Sequence, residues 1–193
     1  MFGIRVVIAD SDQRTLKEMK TLLTRVGYIV AGEATDGMTA LKLIRNTLPD
    51  LVILDTDLHG MSSTEVVNNI DGGKLAAVVM TASYQQKDLL VKLKHHWIFG
   101  FIVKPFSENN LYSVLNLALN NYKRTIELEK EVDKLKSTLE TRKVVDKAKG
   151  ILMTTLGISE EQAFRKIQKQ SMDKGKPMRA VAEAIMLAHD LNN

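Results

Sequence analysis

The sequence predicts an α/β fold: a doubly wound, five-stranded parallel sheet joined by a long helical linker to a small three-helix bundle. In the first 122 residues, short apolar runs alternate with stretches of helical periodicity. From residue 123 the composition changes to Lys, Glu and Leu, and no Gly or Pro interrupts the chain before Gly150. The last segment has helix start and stop signals but no strand pattern. We therefore predict a sheet domain at 1–122, a helical coiled-coil linker at 123–141 and a helical domain at 142–193.

The five strands are predicted from apolar runs bounded by turn signals, which are typical of strands buried on both faces. They cover residues 4–9, 28–34, 51–55, 75–80 and 98–103. Helices are predicted between them: one ends at Gly27, the next stops before Pro49, a third covers about 64–70 and is broken by Gly72 and Gly73, and a fourth covers about 85–95. This regular alternation favours a parallel sheet with helices on both faces.

The linker is predicted to be part of a helix that begins after Ser107, a plausible N-cap. Four apolar residues in it step by three and four, as in a coiled-coil seam: Leu128, Val132, Leu135 and Leu139. The seam is short for an independent coiled coil, so it would need neighbouring domains to support it. We expect it to form a homodimer; the alternative is that it packs on its own domain.

The last segment is predicted to form three short amphipathic helices. The first ends at Gly157, and Ser159 with Gln162 forms a capping box for the second. Gly175 closes the second helix, and Pro177 suits the first turn of the third.

Composition limits the classes of protein. The chain has 193 residues, no Cys and a net charge of +4, so a disulfide framework and a thiolate metal site are excluded. No run is long and apolar enough to span a bilayer, and we expect a cytoplasmic protein without a membrane partner. Residues 142–193 hold ten basic and six acidic residues and carry the whole charge excess, which suits an anionic partner such as nucleic acid or, more simply, a solvated helix surface.

Polar residues follow four of the predicted strands: the Asp10-Ser11-Asp12 cluster, Asp55, Thr81 and Lys104. The carboxyl ends of parallel strands share one edge of the sheet, so these residues are expected to meet there. Clustered carboxylates require a cation, and oxygen ligands of this kind suit Mg²⁺. A carboxylate beside Mg²⁺, a hydroxyl and a lysine can accept a phosphoryl group, with Asp55 as the nucleophile. Asp57 is expected to offer the metal its backbone carbonyl.

These residues resemble the receiver domain of two-component response regulators, which has a flavodoxin-like fold. The resemblance covers residues 1–122 and rests on Asp10, Leu51–Asp55, Thr81-Ala82 and Lys104-Pro105-Phe106. It implies that a sensor histidine kinase transfers a phosphoryl group to Asp55 in a phosphorelay. It also implies that the Thr81 hydroxyl closes on that group and that Phe101, which we expect to belong to the core first, is the aromatic switch. By this resemblance the chain is a phosphoacceptor and not an enzyme.

The sequence departs from the receiver pattern at two positions. Ser11 stands where the family usually has a second acid, often the direct metal ligand, and His59 stands where it usually has Pro. Asp12 is the candidate to replace the missing acid; the alternative is weaker binding of Mg²⁺. His59, His95 and His96 are most simply solvated or packed, and no metal is assigned to them.

The last segment resembles the ANTAR domain, the RNA-binding module of transcription antitermination regulators. The resemblance rests on residues 142–153, with their Ala148-Lys149-Gly150 core, and on Glu160-Glu161-Gln162-Ala163-Phe164. It implies a three-helix bundle that binds RNA hairpins of leader transcripts. Basic side chains are the candidates to contact the RNA, together with Gly150: Lys143, Lys147, Lys149, Arg165, Lys166, Lys169 and Arg179. Gly costs ~1 kcal/mol within a helix, and close approach by RNA or by another helix would account for Gly150.

We therefore expect a phosphorylation-controlled response regulator that binds RNA hairpins and promotes antitermination, with dimerisation constitutive or dependent on phosphorylation. One alternative is a DNA-binding response regulator, which is disfavoured because no recognition helix rich in Arg, Asn and Gln follows a tight Gly turn. Another is a receiver controlled by a partner protein without phosphorylation, which Ser11 keeps open.

Overall fold

The computed structural model describes residues 3–86, 95 and 97–191. The chain divides into two compact units, Met1–Ile126 and Glu127–Asn193. The boundary between them lies inside the predicted linker, and the predicted limits at 122 and 141 remain predictions.

The first unit is a five-stranded parallel sheet, as predicted, and its strand order is β2-β1-β3-β4-β5. Its elements are β1 Arg5–Ala9, α1 Gln13–Arg25, β2 Ile29–Ala34, α2 Gly37–Thr47, β3 Leu51–Asp55, α3 Ser63–Gly73, β4 Ala77–Ala82, a 3₁₀ turn Tyr84–Gln86, β5 Ile98–Val103 and the first part of α4 Glu108–Leu156. The helix predicted near 85–95 falls mostly outside the described residues.

The central strand β3 is buried along its whole length because both faces of the sheet are covered. Val52 and Leu54 belong to the core on one face, and Leu51 and Ile53 to the core on the other. The near-continuous apolar sequence of this strand follows from that double burial. Its pairing with β4 places Asp55 beside Thr81.

Two predicted boundaries near α3 are wrong. Gly72 and Gly73 do not break the helix but form its last two residues. Lys74, which has a φ of 49°, is the C-cap. The chain then needs Leu75 and Ala76 to return to the sheet, so β4 starts at Ala77 rather than at residue 75.

Trp97 is fully buried just before β5. Its indole Nε1 donates to the Ala76 carbonyl at 3.0 Å, and its ring packs edge-on against Phe99 and Tyr122. The Tyr122 hydroxyl, on α4, donates to the Lys74 carbonyl at 3.0 Å. This aromatic cluster joins α4 to the start of β5 and to the chain between α3 and β4.

The second unit contains the remainder of α4 with α5 Glu160–Lys174 and α6 Met178–Asp190. Its core consists of small and branched residues: Val145, Ala148, Ile167, Val181 and Ala182. Ser159 and Gln162 form the predicted capping box at the start of α5, and Gly175 caps its end. No helix in the described part of the chain is long and apolar enough to cross a membrane.

Candidate functional site

Four of the predicted site residues meet at the carboxyl edge of the sheet. Asp55 ends β3, Thr81 lies in β4, and Asp10 and Lys104 directly follow β1 and β5. The Lys104 Nζ lies 2.5 Å from Asp10 Oδ2 and also pairs with Asp55 Oδ2, to which the Thr81 hydroxyl donates at 3.2 Å. We call this group of four the acidic pocket.

The acidic pocket holds two buried carboxylates against one lysine. Burial, reinforced by the charge of Asp55, raises the pKa of Asp10 against the opposing hydrogen bonds from Lys104 and the Asp12 backbone. Burial alone would lower the pKa of Lys104, but its hydrogen bonds to Asp10 and Asp55 outweigh this and raise it. Lys104 is therefore charged, and the pocket with both acids ionised keeps one uncompensated negative charge.

The residues predicted to complete a metal site have different surroundings. The Asp12 carboxylate caps α1 and accepts from the Arg14 backbone at 3.0 Å and from the Thr15 hydroxyl at 2.8 Å. These hydrogen bonds lower the pKa of Asp12 and point its oxygens towards the helix. Asp57 donates its backbone N–H to Asp55 Oδ1 at 2.8 Å, and its carbonyl accepts the Ser11 hydroxyl at 2.8 Å. The assignment of Asp10, Asp12, Asp55 and the Asp57 carbonyl as metal ligands remains a prediction.

The chemistry of these donors fits a hard divalent cation, since Mg²⁺ binds one or two carboxylates and keeps several waters. No group of three or more His, Cys, Asp or Glu side chains is arranged to hold a metal among the residues that the structure describes. Any ion here therefore needs oxygen donors of another kind beside the two carboxylates.

The two departures from the receiver pattern lie in contact with each other. The Ser11 hydroxyl donates to the Asp57 carbonyl at 2.8 Å, and its oxygen lies 3.2 Å from His59 Nδ1. The sequence indicated each departure separately but not their contact, because 48 residues separate them.

Sequence reasoning missed a second hydroxyl. The buried Ser63 side chain donates a hydrogen bond to the backbone carbonyl of Asp55. The signal was the Ser62-x-x-Glu65 capping box, which places Ser63 in the first turn of α3, where that helix starts beside β3.

Phe101 was expected to be a core residue first, and this is wrong. It is 38% exposed, whereas its neighbour Ile102 is buried. The reason is that β5 is an edge strand whose side chains alternate between the core and the surface.

The basic residues of the second unit fall into two groups. Lys149 is only 14% exposed and pairs with Asp146 and Glu160, each at 2.7 Å, and these bonds raise its pKa. Carboxylates also hold Lys143, Arg165 and Arg179. By contrast, Lys147, Lys166 and Lys169 are exposed and form no ion pair with any residue that the structure describes.

Two further features of this unit bear on ligand binding. A Cβ built on Gly150 meets no atom within 4 Å, so packing of another helix does not explain this glycine. A groove of 450 Å³ is lined by Arg142, Val145, Lys149, Phe164 and Met178 among others, and the Phe164 ring is exposed in it.

Comparisons with known proteins match a family model to each of the two parts of the chain. The model of the response regulator receiver domain matches residues 6–116, and that of the ANTAR domain matches residues 133–186. The transcriptional regulatory protein PdtaR of Mycobacterium tuberculosis is 34% identical over 182 residues, covering 94% of this chain and 89% of that protein. The chemotaxis protein CheY of Thermotoga maritima is 29% identical over 117 residues, which are 59% of this chain and 96% of that one.

Solved structures show the same fold for the first unit. The signal receiver domain of a putative LuxO repressor protein from Vibrio parahaemolyticus superimposes with a TM-score of 0.58 at 23% identity. The match covers 66% of this chain and 98% of that chain.

Proposed function

The chain belongs to the two-component response regulators that join a receiver domain to an ANTAR domain, and we propose that phosphorylation of Asp55 controls its binding to RNA hairpins and thereby antitermination. As a member of this family it is a signalling regulator and not an enzyme. The observation that supports the proposal is that the Thr81 hydroxyl donates to Asp55 Oδ2 and that Lys104 forms an ion pair with the same oxygen.

Asp55 is the phosphoacceptor. Its carboxylate oxygen forms a bond to phosphorus as the bond from phosphorus to the kinase histidine breaks, and that histidine nitrogen keeps the electron pair. Lys104 supplies positive charge where the phosphoryl oxygens arrive, and the Thr81 hydroxyl moves its hydrogen bond from the carboxylate to one of them. Mg²⁺ held by Asp10, Asp55 and the Asp57 carbonyl would neutralise the remaining charge on the transferred group.

Phosphorylation changes the structure outside the acidic pocket through movements of Thr81 and Phe101. Thr81 lies in β4 and Phe101 in β5, which pair along their length. Movement of Thr81 towards the phosphoryl group vacates space on the side of β5, and the exposed Phe101 ring turns inward to fill it. The surface beside the edge strand changes as a result.

Mass spectrometry of the intact chain tests phosphorylation. Incubation with acetyl phosphate and Mg²⁺ should add the mass of one phosphoryl group, and Asp55→Ala should abolish the gain. Asp173→Ala is the matched control, because Asp173 is an exposed residue of α5 in the second unit. The absence of a gain in the natural chain would favour the alternative of a receiver controlled by a partner protein. The same gain in Asp55→Ala would mean that another residue is phosphorylated and would refute Asp55 as the acceptor.

RNA binding is assigned to the second unit. The exposed Lys147, Lys166 and Lys169 are the best candidates for phosphate contacts, since their charges are not already neutralised. The exposed Phe164 ring offers a stacking surface of the kind that proteins use for unpaired loop bases. Lys143, Lys149, Arg165 and Arg179 would have to leave carboxylate partners to contact RNA, so we assign them smaller contributions.

Gel-shift assays with leader RNA hairpins and with duplex promoter DNA separate this proposal from a DNA-binding regulator. Lys166→Glu with Lys169→Glu should weaken hairpin binding, and Lys134→Glu with Lys136→Glu in the linker is the control of equal charge change. A preference for duplex DNA would overturn the assignment.

The substitution Gly150→Ala tests whether the RNA binds next to this residue. Gly150→Ala should raise helix stability by ~0.5–1 kcal/mol because the added methyl group meets open space. If the RNA backbone approaches here, the same variant should bind hairpins more weakly. A more stable variant with unchanged RNA affinity would remove Gly150 from the interface.

Dimerisation through the linker would give two RNA-binding bundles and therefore avidity for paired hairpins. The proposed seam of Leu128, Val132, Leu135 and Leu139 is exposed in the single chain, which supports a partner helix. Sedimentation of the natural chain and of Leu135→Lys, with and without acetyl phosphate, tests this. A natural chain that remains monomeric at micromolar concentration in both states would exclude the dimer.

A further inference from the structure

Lys149 links the last turns of α4 to the start of α5 in the second unit. Its Nζ lies 2.7 Å from Asp146 Oδ1, three residues earlier on α4, and 2.7 Å from Oε1 of Glu160, the first residue of α5. The second contact spans the turn at Gly157 between the two helices. Lys149 is therefore attached to α5 as well as to its own helix.

The surroundings of Lys149 differ from those of other paired cations in this unit. Four of these pair within their own helices with acids three or four residues away, and their side chains are at least 46% exposed: Arg142, Lys143, Arg165 and Arg179. The Lys149 side chain is only 14% exposed. A contact with an RNA phosphate would require it to give up two charge-assisted hydrogen bonds, which are stronger than neutral ones.

The contact at Glu160 holds the first turn of α5. Ala163 and Ile167 bury one side of this helix, whereas Phe164 and Lys166 are exposed. Burial of small and branched apolar side chains is non-directional, but an ion pair with a hydrogen bond keeps two particular atoms together. Because a helix is rigid over a few turns, holding its first residue also determines where Phe164 and Lys166 lie.

From these contacts we infer that Lys149 is a positioning residue for RNA binding: through Glu160 it sets the placement of α5, and so of the side chains that contact RNA, without touching the RNA itself. The inference rests on the proposed binding of RNA hairpins by the second unit and gives Lys149 an indirect part in it. The alternative role is direct contact with a phosphate, which predicts a different response when the two charges are exchanged.

Exchange of the two charges separates these roles. The probe is an RNA hairpin selected for binding to the natural chain from a pool with randomised loops. Lys149→Glu in the full chain should weaken binding of this hairpin by about threefold or more. Lys149→Glu with Glu160→Lys again places one lysine with two acids, so the affinity should return to within about twofold of that of the natural chain.

Two further variants complete this experiment. Lys149→Glu with Asp173→Lys is the control of equal net charge, because Asp173 is exposed near the other end of α5 and should not restore binding. Lys149→Met is the milder second variant, since Lys149→Glu brings three acids together, and it should also weaken binding.

A measurement without RNA tests the placement of α5 itself. The chain has no Cys, so Thr154→Cys with Gln170→Cys places spin labels at two exposed sites, one on α4 and one on α5. Electron paramagnetic resonance should show a shifted or broader distribution of distances between the labels in Lys149→Met. The charge-exchanged chain should return to the natural distribution.

Three results would overturn the inference. The first is a charge-exchanged chain that binds the hairpin no better than the Asp173 control, because Lys149 would then act by direct contact. The others are natural affinity in Lys149→Met and label distances in that variant equal to those of the natural chain. A pool that yields no hairpin bound by the natural chain would instead refute the proposed function, and the label distances would still decide whether Lys149 positions α5.

Discussion

Replacement of Lys104 by Met isolates the electrostatic role of the acidic pocket. Lys104 is the cation that separates two buried carboxylates, and Met keeps most of its length and apolar contact. The variant leaves Asp10 and Asp55 facing each other without a counter-charge. We expect lower stability at neutral pH that partly recovers in acid.

The expected loss in the free energy of unfolding depends on how deeply the ion pair is buried. Removing one partner of a fully buried ion pair costs about 3–5 kcal/mol. Since the Lys104 side chain is 24% exposed, water screens part of the unpaired charge, and we expect a loss of about 1–3 kcal/mol. Lys20→Met is the matched control: its pair with Glu33 at 2.6 Å has side chains 53% and 33% exposed, so its loss should stay below about 1 kcal/mol.

The stability lost in Lys104→Met should decrease as the pH falls. A carboxyl whose native pKa lies above its unfolded value gains native stability as the pH falls. The pKa of Asp10 is already raised by burial, and without Lys104 it rises further. The raised pKa of Lys104 keeps its contribution in the natural chain complete below the ordinary pKa of lysine. The deficit of the variant should therefore be smaller at pH 5 than at pH 7.

Urea unfolding followed by Trp97 fluorescence measures this loss. Trp97 is the only tryptophan in the chain and lies in the core of the first unit, so it reports that unit alone. Equal midpoints for Lys104→Met and the natural chain would refute the reasoning. A deficit at pH 5 as large as at pH 7 would refute its electrostatic origin.

Two further predictions concern the space around a glycine and the cap of a helix. Gly37→Ala should destabilise the first unit by about 3 kcal/mol, because the new Cβ would lie 2.0 Å from the Met61 carbonyl oxygen. Gly72→Ala meets open space within α3 and should be neutral or stabilising by up to ~1 kcal/mol; the same urea assay compares the two, and similar losses would contradict the packing argument. Ser159→Ala should cost the second unit ~1 kcal/mol through loss of the α5 cap, which far-UV circular dichroism measures on heating; an unchanged transition would mean that the cap contributes nothing.

The pocket could be anticipated because parallel strands align their carboxyl ends. Asp10, Asp55, Thr81 and Lys104 follow four separate apolar runs, and once those runs form one parallel sheet their ends share an edge. Which of the nearby acids faces the pocket could not be read in this way. Asp10 and Asp12 are two residues apart, yet one pairs with Lys104 and the other caps α1.

The charge of the last segment was similarly predictable only as a total. Its basic excess is a property of composition, whereas the division into paired and exposed lysines depends on which carboxylates the folded helices bring near. Lys149 meets Asp146 on its own helix and Glu160 on the next, and only the first of these contacts follows from helical spacing.

By itself the sequence determined the order of strands and helices, the edge at which the polar residues gather and the families to which both halves are similar, because these depend on local periodicity and on residues at strand ends. Only the tertiary structure decided the contacts between residues distant in the chain: Ser11 against His59 and Lys104 between two acids. The physical reason is that such contacts depend on side-chain direction and on loop paths after strand pairing. Neither leaves a periodic signal in the order of the residues.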